Sequence, residues 1–176
     1  DTSLSALASG AIYDHLSGGF HDYCYDRRWS QPCLGRHAAQ SVAGLWAFVE
    51  GFEIFQSPAY WHVADDTIWS LIFGFDRGDG LLNGGDDVHD AAAVDGYYLW
   101  TREEIEKILG DRAEAFCQTY GVTSQGNFID TLTGKPSGKN ALRLTGLSDM
   151  DDRSGRDMTE IWDELSEGRA KLASAR

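Results

Sequence analysis

The chain has 176 residues and a formal net charge of −13, with 28 acidic and 15 basic side chains. This length accommodates one domain with a substantial buried core, and the acidic excess disfavours nucleic acid and anionic membrane surfaces as partners. The sequence has no apolar run long enough to cross a bilayer and no signal-peptide pattern, so we expect a cytoplasmic protein. Its first residue is Asp rather than Met, which predicts a processed or partial form of a longer protein.

The cysteine pattern bears on redox state and metal binding. Cys24, Cys33 and Cys117 are odd in number and share no C-x-x-C spacing, which predicts reduced thiols rather than a disulfide framework. His21 and Cys24 combined with Cys33 and His37 have spacings that can chelate zinc. Because no accompanying pattern supports a metal site, we predict no metal ligands and no cofactor.

The first half of the chain predicts three helices. Residues 4–16 form a short one closed by the glycines after Ser17, residues 38–55 form a second, and Ser57 and Pro58 begin a third. Apolar residues at spacings of three and four mark the predicted buried faces: Val42, Leu45, Trp46, Val49, Phe52 and Phe55 in the second helix and Trp61, Ala64, Ile68, Leu71, Ile72 and Phe75 in the third. Two amphipathic helices joined by a very short turn predict an antiparallel αα-hairpin.

The middle of the chain changes in character. Residues 76–95 are rich in Gly and Asp, and two short β-like runs, 80–83 and 96–100, predict one small β-hairpin there. The acidic residues of this loop lack the order of an EF-hand, so they predict a solvated loop rather than a calcium site.

Capping boxes predict three further helices in the second half: Thr101 with Glu104, Asp111 with Glu114, and Asp157 with Glu160. Residues 123–144 are rich in loop formers, and residues 145–156 have the composition of a polar linker. The predicted fold class is therefore mostly α, built from antiparallel αα-hairpins.

One stretch, residues 10–29, concentrates the side chains that carry chemistry. It holds two histidines, several carboxylates, two arginines and five aromatic residues around Gly18 and Gly19. Glycines allow tight turns, aromatic rings supply flat apolar faces, and the polar groups supply hydrogen bonds. This mixture is typical of a polar cavity lined by aromatics, and composition leaves open an ordinary helix-to-loop junction with core aromatics.

Several short segments of the chain, taken in order, resemble the middle part of a known family. The matching residues are 10–23, 29 and 32, 96–101, 103–105, 109–110, 120–122, 126–127, 138–140 with 142, and 169–176. The family is that of the thioredoxin-domain-containing proteins that include the bacterial YyaL proteins and the spermatogenesis-associated thioredoxin-like protein. The match extends over nearly the whole chain in the correct order.

The resemblance implies an (α/α)6 toroid similar to six-hairpin glycosidases and N-acylglucosamine 2-epimerases. Residues 1–176 would be a partial toroid domain with a linker-like segment at 145–156, and the thioredoxin-like domain of the family is absent from this sequence. Because each hairpin of such a fold packs against its neighbours, we expect the remainder of the toroid or a partner protein to cover the exposed hairpin faces.

The resemblance also implies a carbohydrate ligand held where loops join the inner helices. The residues it places in catalysis are Asp14, His15, His21 and Asp87, and those it places in ligand binding are Arg27, Trp29, Tyr98, Trp100 and Asn140. In this scheme a histidine or carboxylate moves a proton beside a sugar ring that an aromatic side chain holds.

Two functions remain open at this stage. One is a piece of a glycosidase- or epimerase-like toroid that binds or modifies sugars, as a sugar epimerase, an isomerase or a glycoside hydrolase-like enzyme. The other is a catalytically degenerate toroid segment that acts as a scaffold or interaction subunit of a larger protein or assembly. The family pattern PHFEKML is replaced after Pro32 by residues 33–37, and its second acidic motif is reduced to residues 83–90, which favours the second function. The retained DHLSGGFH segment, residues 14–21, favours the first.

Overall fold

The computed structural model describes residues 1–85, 91–130, 133–145 and 158–176. This part of the chain is mostly helical, which confirms the predicted class. Its helices are α1 (Thr2–Ser9), α2 (Ala38–Phe55), α3 (Pro58–Trp69), α4 (Ala91–Tyr98), α5 (Arg102–Leu109), α6 (Ala113–Thr119) and α7 (Met158–Ser174). A π-helical turn, Ser70–Gly74, follows α3, and a 3₁₀ turn, Gly110–Arg112, joins α5 to α6.

Extended structure in the described residues consists of isolated β-bridges, and no sheet forms among them. The predicted run 80–83 contributes a single bridge, between Leu82 and Asp76. The predicted run 96–100 is wrong as a strand through Tyr98, because α4 includes Tyr97 and Tyr98 and only Trp100 forms a bridge, to Asn140. The alanines that precede the aromatic pair favour a helix at this point.

The first helix is shorter than predicted, and Gly10 shows why. The helix α1 ends at Ser9, where Gly10 is extended (φ −71°, ψ 161°) and its N–H donates to the Ala6 carbonyl. A Cβ at Gly10 would lie 2.6 Å from the Cβ of Trp29, so the returning loop passes directly against the backbone at this position. Residues 11–16 therefore belong to the loop and not to the helix.

The helix α2 has the predicted bounds and α3 begins at Pro58 as predicted, but α3 ends at Trp69, before residues 71–75 of the predicted face, and the buried face of the hairpin is different. Gln56 (φ 53°) makes the left-handed turn between the two helices. The side of α2 that enters the core carries Ser41 and Phe48, together with Gly44 and Gly51 at close approaches to neighbouring side chains. Most of the apolar residues that the periodicity placed in the core are exposed instead: Val42, Trp46, Val49, Phe55, Trp61, Ile68 and Ile72.

Two capping boxes were predicted for α5 and α6. The structure confirms the box of α5, and the box predicted for α6 is wrong. The Thr101 hydroxyl accepts from the Glu104 N–H at 3.2 Å, and the Glu104 carboxylate accepts from the Thr101 N–H at 2.8 Å. The box predicted at Asp111 does not form, because the 3₁₀ turn places Arg112 at the N-cap of α6. The box predicted at Asp157 lies outside the described residues.

The main core lies between the α1–α3 side and the α5–α7 side of the protein. Its largest fully buried members include Tyr13, Phe48, Ile105, Phe116, Tyr120 and Leu172. A smaller cluster of Ala11, Leu99, Phe128 and Ala141 lies beside it, with Leu34 packed on its edge. Among the described residues, none of the helices has the length and apolar character needed to cross a membrane.

Candidate functional site

The stretch 10–37 folds into a loop that turns back on itself and so brings its polar side chains together. Antiparallel bridges join Tyr13 to Phe20 and His21 to Arg36. Gly18 (φ 74°) and Gly19 (φ 82°) form the turn in left-handed backbone conformations, which side chains other than glycine disfavour. The local sequence thereby directs Asp14 and His21 toward the same interior space.

The carboxylate of Asp14 is the charged centre of this loop. Both of its oxygens accept hydrogen bonds from Arg176, at 2.7 and 2.8 Å, and Arg36 lies 3.5 Å away. Burial by itself would raise the pKa of the Asp14 carboxyl, but the two guanidinium groups outweigh burial and hold that pKa well below its usual range. Asp14 is therefore ionised and paired at every physiological pH.

Arg36 connects this loop to Ser70, at the end of α3, through hydrogen bonds. Its Nε donates to the Tyr98 hydroxyl at 3.0 Å, and its Nη1 donates to the Gly18 carbonyl at 2.7 Å and to the Ser70 hydroxyl at 3.0 Å. The guanidinium carbon lies 5.6 Å from the centre of the Phe75 ring. A buried arginine with this many partners positions the loop and balances the charge of Asp14.

His21 lies against Tyr98, with 4.8 Å between the ring centres. Its Nδ1 is 3.1 Å from the Gly35 carbonyl oxygen, which accepts hydrogen bonds only, so Nδ1 carries the proton. Burial lowers the pKa of His21 to about 4, although the nearby Asp14 carboxylate opposes this effect. The ring is neutral at pH 7 and is a weak base there.

His15 is buried, with 1% of its surface exposed. Its Nε2 donates to the Gly10 carbonyl at 3.0 Å, and its ring contacts the rings of Tyr13 and Tyr120. Burial and the charge of Arg169 lower the pKa of His15 to about 4. These contacts give His15 a structural role where the first loop, residues 10–37, meets α7.

A second ionic network lies beside His15. Arg169 donates from Nε to the His15 carbonyl at 2.6 Å and pairs with Asp66 on α3. Asp66 also accepts from the Tyr13 hydroxyl at 3.0 Å. These contacts connect the first loop, α3 and α7 through charged groups that are mostly shielded from water.

A small cleft lies between these groups. Its lining includes Asp14, His15, His21, Tyr98, Leu142 and Arg176. Its volume is about 10 Å³, which is room for about one water molecule. Pockets that enclose small organic ligands are typically hundreds of Å³, so this cleft does not admit a sugar ring unless neighbouring groups move.

The other residues predicted for ligand binding lie apart from the cleft. Arg27 is exposed, and Trp29 (φ 55°) lies at the bend of the same loop where it passes Gly10. Trp100 is buried in the main core. Asp87 lies outside the described residues. Of the predicted site residues that the structure describes, Asp14, His15, His21 and Tyr98 line the cleft, and Arg27, Trp29, Trp100 and Asn140 do not.

Asn140 is buried and its side chain joins three segments of backbone. Its Oδ1 accepts from the N–H groups of Thr123 and Asn127, at 2.9 and 3.1 Å. Its Nδ2 donates to the carbonyls of Trp100 and Thr123, both at 3.1 Å. All of the hydrogen-bonding capacity of the amide is thus used within the protein.

Sequence reasoning missed the three arginines that surround the site, Arg36, Arg169 and Arg176. The sequence did contain a signal for buried arginines. Arg36 stands where the family pattern has a Lys, and Arg169 and Arg176 belong to the matching segment 169–176. Among the described residues, no group of three His, Cys, Asp or Glu side chains is placed to hold a metal ion. The cysteines are free thiols, and burial raises the pKa of Cys24 to about 12.

Comparison with known proteins gives distant relatives that match the chain at low identity. No family model matches the chain. The human spermatogenesis-associated protein 20 (Homo sapiens) is 25% identical over 194 residues, covering 99% of this chain and 25% of that protein. The chain is similar to this protein along almost its whole length. The rat protein of the same name (Rattus norvegicus) is 24% identical over 199 residues, covering 99% of this chain and 24% of its own length.

A third relative extends the similarity beyond mammals. An uncharacterized protein of Caenorhabditis elegans is 24% identical over 159 residues, covering 80% of this chain and 22% of its own length. The chain spans about a quarter of the length of the curated relatives it matches. At these identities the comparison supports a distant relationship to spermatogenesis-associated protein 20 and carries no statement about activity.

Proposed function

We propose that this chain is an interaction segment of a larger helical assembly, in which its α2–α3 hairpin packs against another helical element. The observation that carries the proposal is the apolar surface of that hairpin. We call it the hairpin face and define it by the exposed residues Val42, Trp46 and Val49 of α2 and Trp61, Ile68 and Ile72 of α3 and the turn that follows it. Apolar patches of this kind on soluble proteins mark interaction sites.

The six residues of the hairpin face are arranged along two helical stripes. Val42, Trp46 and Val49 follow one another on α2 at spacings of four and three. Ile68 on α3 and Ile72 in the turn after it are four residues apart. The rings of Phe52 and Trp61, 5.4 Å apart, connect the two helices. Trp46 is 69% exposed and Trp61 is 52% exposed, so both indole rings are available to a partner.

The length of the relatives also supports a role as a segment of a larger helical assembly. The chain covers 25% of human spermatogenesis-associated protein 20, so the similar segment in that protein has a long additional chain beside it. In a helical toroid each hairpin packs against the next, and the hairpin face has the composition of such a contact. The (α/α)6 arrangement is part of this proposal.

The polar loop supports a structural role more than a catalytic one. Asp14 is held by two arginines, and the pKa of both His15 and His21 is about 4, which makes these rings weak bases at neutral pH. General acid–base catalysis works best when the pKa of the group lies near the working pH. The cleft among them holds about one water molecule.

The test is light scattering together with binding of the apolar dye ANS. We expect the chain to bind the dye, and the triple variant W46Q/I68Q/I72Q to lose most of that signal while keeping its helical circular dichroism. The variant L81Q/L82Q is the matched control, since it removes apolar side chains of similar exposure, 58% and 49%, from a different surface. A monodisperse wild-type monomer that binds no dye contradicts the proposal.

Sugar binding at the cleft is the second candidate, and one observation favours it. Asp14, His21 and Tyr98 meet at the same opening and offer a carboxylate, an imidazole and an aromatic ring to a ligand. A sugar that binds there displaces the Arg176 side chain from Asp14. Calorimetric titration with a panel of monosaccharides tests it. Binding that His21→Ala abolishes supports this candidate, and no heat with any sugar rejects it.

A further inference from the structure

We infer that the hairpin face binds a basic amphipathic helix, with an apolar stripe flanked by Lys or Arg residues. This inference rests on the proposed function and adds the chemistry of the partner. It is carried by the charge pattern of the hairpin, by the position of the charges relative to the apolar residues, and by the shape that two adjacent helices present.

The hairpin carries charge of one sign only. From Ala38 to Asp76 the sequence contains no Lys or Arg. Its carboxylates are Glu50, Glu53, Asp65, Asp66 and Asp76. Asp66 is used internally, by Arg169 and Tyr13. Glu50 and Glu53 are exposed, Asp65 is half-buried, and none of these three forms an ion pair with a described residue.

These three carboxylates lie beside the apolar residues of the hairpin face. The Trp46 indole N–H donates to Glu50 Oε1 at 3.2 Å, which places a negative charge against the most exposed indole of the face. Glu53 follows Val49 by four residues and Asp65 follows Trp61 by four, so each carboxylate lies beside an apolar residue on its helix. The acidic groups thus lie next to apolar residues of the hairpin face on both helices.

The shape of this surface fits a helix. Two helices packed side by side leave a shallow groove between their outer ridges, and an amphipathic helix fills such a groove with side chains at i, i+3, i+4 and i+7. Basic residues at the edges of that helix would lie near Glu50, Glu53 and Asp65. A second copy of this chain fits poorly, because it brings the same acidic hairpin and a further net charge of −13 to the contact.

The experiment uses two synthetic helical peptides with identical leucine positions, one with lysine and the other with glutamate at all remaining positions. Binding is followed by the fluorescence of the exposed tryptophans at low and at high salt. We expect the lysine peptide to bind roughly tenfold or more tightly than the glutamate peptide, with the difference shrinking at high salt.

Matched charge variants separate a local effect from the overall charge of the chain. We expect E50Q/E53Q to weaken binding of the lysine peptide by roughly tenfold. The control E103Q/D111N removes the same number of exposed carboxylates from the α5 region and should leave binding nearly unchanged. Equal weakening by both double variants overturns the inference.

The outcomes distinguish this inference from the function on which it rests. If both peptides bind equally and W46Q/I68Q/I72Q abolishes both, the interaction role stands and the basic partner is wrong. If neither peptide binds and the wild-type chain is a dye-free monomer, both are wrong. The inference is also overturned if the chain binds neutral phosphatidylcholine vesicles and shows no preference for the lysine peptide over the glutamate peptide.

Discussion

The guanidinium of Arg176 forms a bidentate pair with the carboxylate of Asp14, with Nη1 2.7 Å from Oδ2 and Nη2 2.8 Å from Oδ1. The two residues are 162 positions apart in the sequence, and their side chains are 4% and 2% exposed. The same guanidinium lies 4.8 Å from the centre of the Tyr97 ring. This pair therefore joins the first loop, the segment after α7 and the end of α4 around one buried charge.

Breaking this buried pair should strongly destabilise the protein. Arg176→Gln leaves the more distant Arg36 as the cationic partner of Asp14, and removal of one partner of a buried pair typically costs about 3–5 kcal/mol of unfolding free energy. Denaturant unfolding of the wild type and the variant measures the loss. Arg112→Gln, which breaks the exposed pair with Glu167, is the control and should change stability little. A similar loss in both variants would contradict the prediction.

The neutral, buried histidines predict a loss of stability on mild acidification. Burial lowers the pKa of His21 from 6.5 to about 4, so between these values the unfolded chain binds a proton that the folded protein does not. The stability from this group is complete above pH 6.5 and is lost as the pH falls toward 4. His15 has the same shift and acts in the same direction.

His21→Gln should flatten this pH dependence. The slope of unfolding free energy against pH, measured by denaturant titrations between pH 6 and 5, should fall by up to about 1.4 kcal/mol per pH unit, because one proton fewer is taken up on unfolding. Above pH 7.5 the two slopes should coincide, since His21 is then neutral in both states. An unchanged slope in the acidic range would mean that His21 titrates normally in the folded protein.

Asn140→Asp tests the backbone-joining role of that side chain. A carboxylate can still accept from Thr123 and Asn127, but it cannot donate to the carbonyls of Trp100 and Thr123. Both carbonyls keep one backbone N–H donor, from Asn140 and Gly126, but the new carboxylate oxygen faces them without a proton to share. We expect the loss of these two side-chain hydrogen bonds in a buried position to lower the unfolding free energy by about 1–3 kcal/mol. A variant as stable as the wild type would show that these hydrogen bonds are dispensable.

Two helical glycines offer a matched pair for testing packing. A Cβ at Gly44 would lie 2.4 Å from the Phe20 ring, which is itself stacked on Phe48, so Gly44→Ala should cost about 1–3 kcal/mol. A Cβ at Gly96 meets nothing within 4 Å, and Gly96→Ala should be neutral or stabilising by up to about 1 kcal/mol. Thermal or denaturant unfolding compares the two. Equal effects would show that α2 does not approach Phe20 as described.

Local signals in the sequence predicted local structure well. The bounds of α2 and the capping box of Thr101 with Glu104 follow from residues close together in the chain, and the structure confirms both. The face that α2 buries did not follow, because periodicity finds apolar residues without regard to what lies opposite them. Gly44 and Gly51 decide the buried face by letting Phe20, Leu4 and Tyr60 approach the helix.

In the candidate site, too, the sequence predicted the local features and missed the contacts between distant segments. The loop around Gly18 and Gly19 was recognisable as a place where Asp14 and His21 meet, since these residues and the left-handed glycines lie within a few positions of one another. Their partners Arg36 and Arg176 come from 22 and 162 residues away, and no local pattern links them to Asp14. The lowered pKa values of the histidines depend on burial, which is also a property of the assembled fold.

The sequence by itself determined the helical class, the α2–α3 hairpin, the polar loop and an acidic chain similar to a known family, because each depends on residue type and short spacing. Only the tertiary structure decided that the loop's charges are internally paired and that the hairpin leaves an apolar, acidic face in water. Packing and ion pairing depend on which distant segments meet. That depends on the shape of the whole fold and cannot be read from any short segment.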